Sequence, residues 1–314
     1  MRRVDVAVVG TVNLDTTIHV PQLAERGETV VGDDATDALG GKAANQAIAA
    51  ARQGARTALV ACVGDDPAGD TVLALLRAES HLDVSGVGRI PETATGRALI
   101  AVDDAGGNTV TTSKGANAHL DDAHVHRYGK AIGDAAVVIA QLGVPLDAVR
   151  AAFEIARGVG TIAILDPAPA DQLVGDATDE LLRSVDIITP NESEAARLTG
   201  RHVQSERDAR DAAHLLMQRG CASVVITLAA RGAFYASGTR PDGVLVAPHP
   251  VGDDVVDPTG AGDAFCGALA AALARGADVD DALHDAAVAG ALATTVRGAA
   301  PSMPTRAAVQ AVPR

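Results

Sequence analysis

The sequence predicts an α/β fold in which a mainly parallel sheet is covered by helices on both faces. Short runs rich in β-branched residues alternate with Ala- and Leu-rich windows through much of the chain. The strand-like runs are apolar throughout, which is typical of parallel strands that are buried on both sides. With three Phe, two Tyr and no Trp, the core must come from Ala, Val, Leu and Ile. Together these observations predict a three-layer α/β/α sandwich.

The individual elements follow in chain order. Apolar runs predict strands at residues 4–9, 57–63, 135–141, 161–165, 185–189 and 223–227. Windows with helical spacing predict helices between them, at residues 43–52, 67–79, 145–157, 192–199 and 207–219. Beyond residue 255 the pattern predicts helices at 261–275 and 278–296, followed by an extended, proline-rich tail.

Two regions interrupt the alternation of strands and helices. Residues 11–20 and 29–31 look like short strands, and residues 97–102 and 108–112 look like a hairpin around a Gly-rich turn. We expect them to form a small β-sheet lid, from about 11–36 and 96–114, although edge strands of the main sheet are the alternative. No linker or repeat divides the chain, so residues 1–314 are expected to form one domain with this lid.

Composition excludes several classes of function. The 26 Lys and Arg residues against 40 Asp and Glu residues give a net charge of −14, which argues against nucleic-acid binding.

The three cysteines, Cys62, Cys221 and Cys266, are too far apart in sequence for a zinc motif or a disulfide framework, so we expect reduced thiols in a cytoplasmic protein. Asp5 and Gly10 interrupt the N-terminal apolar run, which predicts no signal peptide. No apolar run approaches the length of a membrane span.

The segment Asp-Pro-Thr-Gly-Ala-Gly-Asp at residues 257–263 is the most informative one. It opens a predicted helix, so the free N–H groups of Gly260, Ala261 and Gly262 are expected to point at an anion. Asp263 falls in the first turn, where the helix dipole favours an ionised carboxylate. Such a carboxylate can accept a hydroxyl proton while the N–H groups stabilise a phosphoryl group. The alternative is that Asp263 only caps the helix.

Two further segments carry polar side chains at strand or helix ends. Gly-Gly-Lys-Ala-Ala-Asn-Gln at 40–46 is not a Walker A loop, but Gly41 permits close backbone approach, and Lys42 and Asn45 can bind hydroxyls. Asn13 and Asp15 follow the first strand, at the end where ligands bind in α/β sheets. Both segments have a simpler interpretation, as a helix start and as turn-forming residues.

The segment Thr-Pro-Asn-Glu-Ser-Glu at 189–194 also follows a strand and opens a helix. Asn191 and Glu194 are three residues apart, so one helical face can orient hydrated Mg²⁺ and phosphate oxygens. A helix N-terminus with favourable acids is the alternative. The chain has no HExxH or GxSxG motif, and no GxGxxG after its first strand. Metalloprotease, serine hydrolase and Rossmann-type dehydrogenase functions are therefore rejected.

Taken together, these segments resemble the ribokinase-like, or PfkB, family of carbohydrate kinases from end to end. The resemblance also includes Asp-Pro-Ala-Pro-Ala at 166–170, Thr-Leu-Ala-Ala-Arg-Gly at 227–232 and Arg-Gly-Ala-Ala-Pro-Ser at 297–302. It implies an ATP-dependent kinase with a ribokinase-like sandwich and a small β-sheet lid, through which members often form homodimers. The implied reaction places the γ-phosphoryl group of ATP on the primary hydroxyl, O5, of ribose, with Mg²⁺ bound to the phosphates and K⁺ as a monovalent activator.

The resemblance also assigns roles to individual positions. It implies that Asp263 is the catalytic base and that Gly260, Ala261 and Gly262 form the anion hole. The implied sugar-binding positions, which Asp263 completes, are Asn13, Asp15, Gly41, Lys42 and Asn45. The implied ATP-binding positions are Asn191, Glu194, Thr227, Ala229, Arg231, Gly232 and Gly262. The implied K⁺ positions, several acting through carbonyl groups, are Asp257, Thr259, Ala293, Val296, Gly298 and Ser302.

Three positions depart from the family pattern. Gly143 follows Gln-Leu where members usually carry a sugar-binding Glu, so the space left there is expected to accept deoxyribose, a bulkier pentose or a nucleoside. Ala43 replaces a usual Gly at the start of a helix. Ala229 replaces a usual Gly in the nucleotide loop, which requires a negative φ or a small rearrangement. A non-catalytic sugar-binding protein is disfavoured, because Asp263 and its glycines are intact.

Overall fold

The computed structural model describes residues 4–173, 176–252 and 254–313, so residues 1–3, 174, 175, 253 and 314 of the predicted domain lie outside the described part. The strands are β1 Val6–Val9, β2 Asn13–Val20, β3 Thr36–Gly40, β4 Thr57–Gly64, β5 Leu82–Ile90, β6 Arg97–Asp103, β7 Asn108–Ser113, β8 Val137–Gln141, β9 Ile162–Asp166, β10 Ile187–Ile188, β11 Ser223–Thr227, β12 Ala233–Ser237 and β13 Arg240–Val246. The helices are α1 Lys42–Arg52, α2 Pro67–Arg77, α3 Asp122–Arg127, α4 Gly129–Asp134, α5 Leu146–Val159, α6 Asp176–Leu182, α7 Glu192–Thr199, α8 Glu206–Gln218, α9 Ala261–Ala274, α10 Val279–Ala293, α11 Ala299–Ser302 and α12 Arg306–Gln310.

The strands form two sheets. The main sheet has the order β13-β12-β11-β10-β9-β8-β1-β4-β5. Strands from β11 to β5 in that order run parallel, and β12 and β13 add an antiparallel edge. The second sheet has the order β3-β2-β6-β7. The predicted mainly parallel sheet and the smaller sheet are therefore both confirmed.

Helices cover both faces of the main sheet, as the apolar strands predict. One core cluster joins the sheet to α5, α7 and α8, and the other joins it to α1, α2, α9 and α10. Helix α9 approaches α1 very closely because Gly267 has no side chain: a Cβ there would lie 2.5 Å from the Cβ of Ala49. This contact brings the N-terminal ends of the two helices together. Within the described chain, none of the helices is long and apolar enough to span a membrane.

Several predicted elements are wrong in detail. Residues 29–31 form no strand. The partner of β2 is instead β3, whose first two residues, Thr36 and Asp37, are polar and exposed, so that β3 lacks a strong apolar run. The tail is not simply extended, since it contains the short helices α11 and α12. Strand β5 carries alternating polar residues and two glycines, and so lacks the continuous apolar run by which the other strands were predicted.

Candidate active site

The candidate site lies where the carboxyl ends of β1, β8 and β9 meet the N-termini of α1 and α9. The loop after β1 packs directly on α1: the backbone N–H of Lys42 donates to Oγ1 of Thr11 at 3.1 Å. Gly41 has a φ of 91° and a Cβ there would lie 2.7 Å from the carbonyl oxygen of Thr11. Only glycine permits this approach. The segments at 10–15 and 40–46 therefore form one wall of a single site.

Asp263 lies in the first turn of α9, is 6% exposed and accepts hydrogen bonds from two side chains of α1. Nδ2 of Asn45 donates to its Oδ2 at 2.9 Å, and Nε2 of Gln46 donates to its Oδ1 at 2.9 Å. Nζ of Lys42 lies 3.7 Å from the same Oδ1. Asp263 thus does more than cap a helix, because its carboxylate is held by three side chains from another element.

Asp166, the last residue of β9, completes this cluster. Nζ of Lys42 lies 3.1 Å from its Oδ2, closer than to Asp263. Burial lowers the pKa of Lys42, but the charges of Asp166, Asp263 and Glu194 outweigh burial and raise it. Lys42 is therefore a cation held between acidic side chains, in addition to the role that its sequence position suggests, as a hydrogen-bond donor to ligand hydroxyls.

Opposing effects set the pKa of Asp263. Burial raises the pKa of Asp263, Lys42 lowers it, Asp166 raises it further, and the amides of Asn45 and Gln46 lower it. The net shift of the pKa is upward, because burial and the charge of Asp166 outweigh Lys42 and the two amides. A raised pKa brings a carboxylate nearer to the basicity that proton abstraction near neutral pH requires.

Two of the three N–H groups of the predicted anion hole lack an internal acceptor in the described part of the chain, and their binding of an anion stays a prediction. The backbone N–H of Ala261 donates to the carbonyl oxygen of Pro258 at 3.2 Å and is not free. The N–H groups of Gly260 and Gly262 have no acceptor among residues 4–173, 176–252 and 254–313. Gly260 has a φ of 82°, and this left-handed conformation turns the chain into α9. Within the described chain, the start of α9 therefore presents these two N–H groups without an acceptor, close in sequence to Asp263.

Polar side chains of β2, a strand of the second sheet, continue this same wall of the site. Oδ1 of Asn13 accepts a hydrogen bond from Nδ2 of Asn117 at 2.8 Å. Oδ1 of Asp15 accepts one from the backbone N–H of Ala98 at 3.2 Å. A side chain at Gly40 would overlap the carboxylate of Asp15, so glycine makes room for it. The amide of Asn13 and the carboxylate of Asp15 therefore lie on this wall, as expected from their positions after β1.

The pKa of Asp15 predicts how stability depends on pH. Burial raises it from 3.8 to about 6, against hydrogen bonds from Ala98 and Asn13 that lower it. At pH values between these two pKa values, Asp15 is more fully protonated in the folded protein than in the unfolded chain. The free energy of unfolding that Asp15 contributes therefore falls as the pH rises from about 4 to about 6. Asp15→Asn is therefore expected to gain stability relative to wild type over that interval. Urea unfolding at pH 4.5 and 7 measures this, and an unchanged difference between the two proteins would contradict it.

Gly143 does not leave the open space that the sequence suggests. A Cβ at this position would overlap the methyl group of Thr11, and Thr11 is itself fixed by its hydrogen bond to Lys42. The expectation of extra room for a larger ligand directly at this position is therefore wrong. Gly143 has no side chain that could accept a hydrogen bond, and the methyl group of Thr11 lies next to it.

The segments after β10 and β11 lie side by side. Asn191 and Thr227 form a parallel β-bridge, and the N–H of Thr227 donates to the carbonyl of Pro190 at 3.0 Å. Asn191 and Glu194 form a reciprocal capping box at the start of α7. Burial and Asp166 raise the pKa of Glu194, partly offset by Lys42, which places this acid within electrostatic reach of the cluster.

The side chain of Arg231 is already engaged at the start of α7. Its guanidinium group pairs with Glu192 and donates to the carbonyl of Gln204 at 2.7 Å. Gly232 follows with a φ of 89°, where a Cβ would lie 2.8 Å from the nitrogen of Pro248. The loop is thus tightly packed, and its role in nucleotide binding stays a prediction.

Ala229 adopts a left-handed backbone conformation. Its φ is 51°, so the expected negative φ is not adopted. A left-handed residue with a Cβ costs about 1–2 kcal/mol. Ala229→Gly is therefore expected to raise the free energy of unfolding by about 1 kcal/mol. Ala230→Gly, in the same turn, is the control and is expected to destabilise. Chemical denaturation distinguishes the two, and equal losses would contradict strain at Ala229.

Asp257 ties together the two loops that carry the predicted K⁺ positions. Its Oδ1 accepts the N–H of Thr259 at 2.9 Å, and its Oδ2 accepts the N–H of Gly298 at 2.8 Å. Burial raises the pKa of Asp257, but these hydrogen bonds and Arg297 lower it overall. Oγ of Ser302 instead donates to the carbonyl of Ala299 at 2.8 Å. The carbonyl of Ala293 already accepts the N–H of Val296 at 3.3 Å.

Sequence reasoning missed three buried side chains of the cluster. Gln46 is fully buried and Asp166 is 4% exposed. Nε2 of Gln141 donates to Oε1 of Gln46 at 2.5 Å. A signal for Gln46 was available, because it follows Lys42 by four residues and so shares its helix face. Asp166 and Gln141 end β9 and β8, the same kind of position that singled out Asn13.

Comparisons with known proteins agree with this arrangement. The family model described as pfkB family carbohydrate kinase matches residues 3–306. Ribokinase from Haemophilus influenzae is 37% identical over 304 residues, covering 97% of this chain and 96% of that protein. Deoxyribokinase from Salmonella typhi is 31% identical over 301 residues, covering 96% of each.

Solved structures show the same fold. The structure of Arabidopsis thaliana ribokinase complexed with ribose and ATP superposes with a TM-score of 0.90 at 28% identity, covering 98% of each chain. The match to the family model extends over nearly the whole chain and includes all the segments that build the site. The chain therefore belongs to the pfkB family of carbohydrate kinases.

Proposed function

We propose that this protein transfers the γ-phosphoryl group of ATP to O5 of ribose and releases ribose 5-phosphate and ADP. The observation that carries the proposal is the buried carboxylate of Asp263 beside the N–H groups of Gly260 and Gly262, which have no acceptor among the described residues. A base next to an anion hole is what phosphoryl transfer to a hydroxyl requires. Relatives of similar length are ribokinases, and a solved ribokinase binds ribose and ATP.

The residues divide the reaction between them. Asp263 accepts the proton of the sugar hydroxyl as that oxygen bonds to the γ-phosphorus, while the bond from phosphorus to the leaving ADP oxygen breaks. The N–H groups of Gly260 and Gly262 donate to the phosphoryl oxygens as their charge redistributes. Oδ1 of Asn45 is buried and has no partner within the described chain, so it is available to accept from a sugar hydroxyl. Asn13 and Asp15 bind hydroxyls farther along the sugar.

ATP is bound on the side of α7, where Asn191, Glu194 and Thr227 lie together. Over residues 4–173, 176–252 and 254–313, no group of three or more His, Cys, Asp or Glu could hold a metal. This fits Mg²⁺, which usually keeps its waters and binds through phosphates with one or two carboxylates. Glu194 is the carboxylate placed to orient such a hydrated ion. When bound, Mg²⁺ neutralises phosphate charge in this acidic protein.

K⁺ is proposed as an activator held beside the anion hole, at the loops that Asp257 joins. Asp257 is ionised and links Thr259 to Gly298, so it supplies a fixed negative charge. We expect ADP release to be faster in K⁺ than in Na⁺ at equal ionic strength, and Asp257→Asn to remove most of that difference. Steady-state rates in the two salts measure this. Equal rates for the wild-type enzyme would contradict the assignment.

The second sheet is proposed to act as a lid and as the contact between two copies of the chain. Strand β7 is an exposed edge that carries Val110, which is 53% exposed, and Leu99 on the neighbouring strand β6 is 54% exposed. Exposed apolar residues on an unpaired edge favour association. A cytoplasmic location is proposed from three buried, unpaired cysteines. Light scattering of the purified protein tests the dimer, and a monomer at all concentrations would contradict it.

A second substrate has specific support. Gly143 supplies no acceptor, and Thr11 presents a methyl group beside it. A site that lacks an acceptor for one hydroxyl discriminates weakly against a sugar that lacks that hydroxyl. The Salmonella typhi relative is a deoxyribokinase. Phosphorylation of 2-deoxyribose is therefore the alternative reaction; kinase action on a nucleoside has less support, since the space at Gly143 is filled.

ADP release with ATP, Mg²⁺ and a panel of acceptors tests the proposal. Ribose, 2-deoxyribose, adenosine and buffer alone form the panel. We expect release to depend on the acceptor, with the highest kcat/KM for ribose. A preference for 2-deoxyribose would support the alternative. Release that no acceptor stimulates would overturn the function as a sugar kinase.

A further inference from the structure

Asp166 is a buried acid to which the proposed reaction gives no direct part. Its Oδ2 accepts from Nζ of Lys42 at 3.1 Å and from Nε2 of Gln46 at 2.7 Å, and its Oδ1 accepts the N–H of Ala168 at 3.2 Å. Burying a carboxylate is costly unless its charge is paired and hydrogen-bonded. These three donors explain how the fold tolerates it, but not what it does.

The two side chains that donate to Asp166 also interact with the proposed base, Gln46 through a hydrogen bond and Lys42 through an ion pair. Nε2 of Gln46 donates to Oδ1 of Asp263 at 2.9 Å, and Nζ of Lys42 is 3.7 Å from the same oxygen. The orientation of the Gln46 amide is fixed, because its Oε1 accepts from Gln141 at 2.5 Å. Its nitrogen must therefore face the two carboxylates. Asp166 and Asp263 are thus joined through one ammonium and one amide.

We infer that Asp166 is a positioning residue, which holds Lys42 and Gln46 in the geometry in which both face the carboxylate of Asp263. This inference rests on the proposed function, since it assigns Asp166 a part in the same reaction. Without Asp166, Lys42 loses its nearer partner and is free to move onto Asp263. The base would then be tied up in an ion pair and would abstract a proton less readily.

The charges around Asp263 give this inference a pH signature. The charged groups that face it are Lys42 from α1, Asp166 from β9 and Glu194 from α7. The thiol of Cys266 lies on its own helix, and burial raises its pKa, so it stays neutral. Replacing Asp166 by a neutral group removes one negative charge and strengthens the effect of Lys42. Both changes make Asp263 lose its proton at lower pH.

The test is the pH dependence of kcat for Asp166→Asn with saturating ATP and ribose. We expect the acid limb to shift to lower pH, the plateau to fall about 10- to 100-fold, and KM for ATP to change little. Asp186→Asn is the control. Oδ2 of Asp186 accepts a hydrogen bond from the N–H of Ala163 at 2.7 Å, near the opposite end of β9. That control is expected to keep the wild-type profile. An Asp166→Asn acid limb at the wild-type position overturns the inference.

Two measurements keep the outcomes apart. Urea unfolding shows whether Asp166→Asn is folded; if it is not, Asp166→Ser, which leaves room for a water, is measured in the same way. Wild-type enzyme without acceptor-dependent ADP release would mean that the proposed function is wrong. If the wild-type enzyme is active and the acid limb of Asp166→Asn is not shifted, only the role of Asp166 is wrong.

Discussion

Asp263→Asn is expected to reduce kcat by about 10²–10⁴-fold while leaving the fold and ribose binding intact. The amide is nearly isosteric with the carboxylate, but it cannot accept the proton of the sugar hydroxyl. Asn45 and Gln46 donate hydrogen bonds to this carboxylate, and Lys42 forms an ion pair with it. Initial rates of ADP release, together with ribose binding by calorimetry, measure the effect.

The matched control for this variant is Asp281→Asn, in the first turn of α10. Asp263 and Asp281 both lie in the first turn of a long helix, so a general effect of removing an acid there would appear in both. We expect Asp281→Asn to keep wild-type turnover. Asp263→Asn activity within tenfold of wild type would eliminate this residue as the base.

Gly262→Ala is expected to separate stability from activity. A Cβ at Gly262 would meet no atom within 4 Å beyond the adjoining backbone of its own helix, so the fold accommodates it. Alanine also favours a helix more than glycine does. The added methyl group would, however, stand beside the N–H groups that face the transferred phosphoryl group. We expect unchanged or higher stability and a loss of about 100-fold in kcat/KM for ATP.

Gly158→Ala in α5 provides the comparison. Gly158 also lies in a helix, and a Cβ there would likewise have open space around it, but this glycine lies at the C-terminal end of α5, before β9 begins, whereas Asp166 of the site ends β9. The variant should gain stability without any loss of activity. If Gly262→Ala retained full kcat/KM for ATP, the N-terminus of α9 would not be the phosphoryl site.

Much of the site could be predicted because its signals are local. The run at residues 257–263 carries its own glycines, acid and helix start, so Asp263 could be found without knowing the fold. The same holds for Lys42 and Asn45, one helical turn apart on α1. Strands β8 and β11 were found because each is a continuous apolar run.

The remainder depends on contacts between distant parts of the chain. Gln46 and Asp166 are 120 positions apart, and Gln46 and Asp263 are 217 apart. No local pattern shows that they meet. The hydrogen bond from Ala261 to Pro258 and the left-handed Ala229 are details of backbone geometry that residue type does not determine. Thr11 fills the space beside Gly143 for a similar reason: the two follow adjacent strands that are far apart in sequence.

The most direct test of the central claim is to identify the product by ³¹P and ¹³C NMR after incubation of wild-type enzyme with ATP, Mg²⁺ and ribose. Asp263, the α9 N-terminus and the polar wall from β2 together predict one product, with phosphate on the primary hydroxyl at C5 and one ADP formed for each sugar consumed. Phosphate on another carbon, or ADP and inorganic phosphate with unmodified ribose, would contradict it.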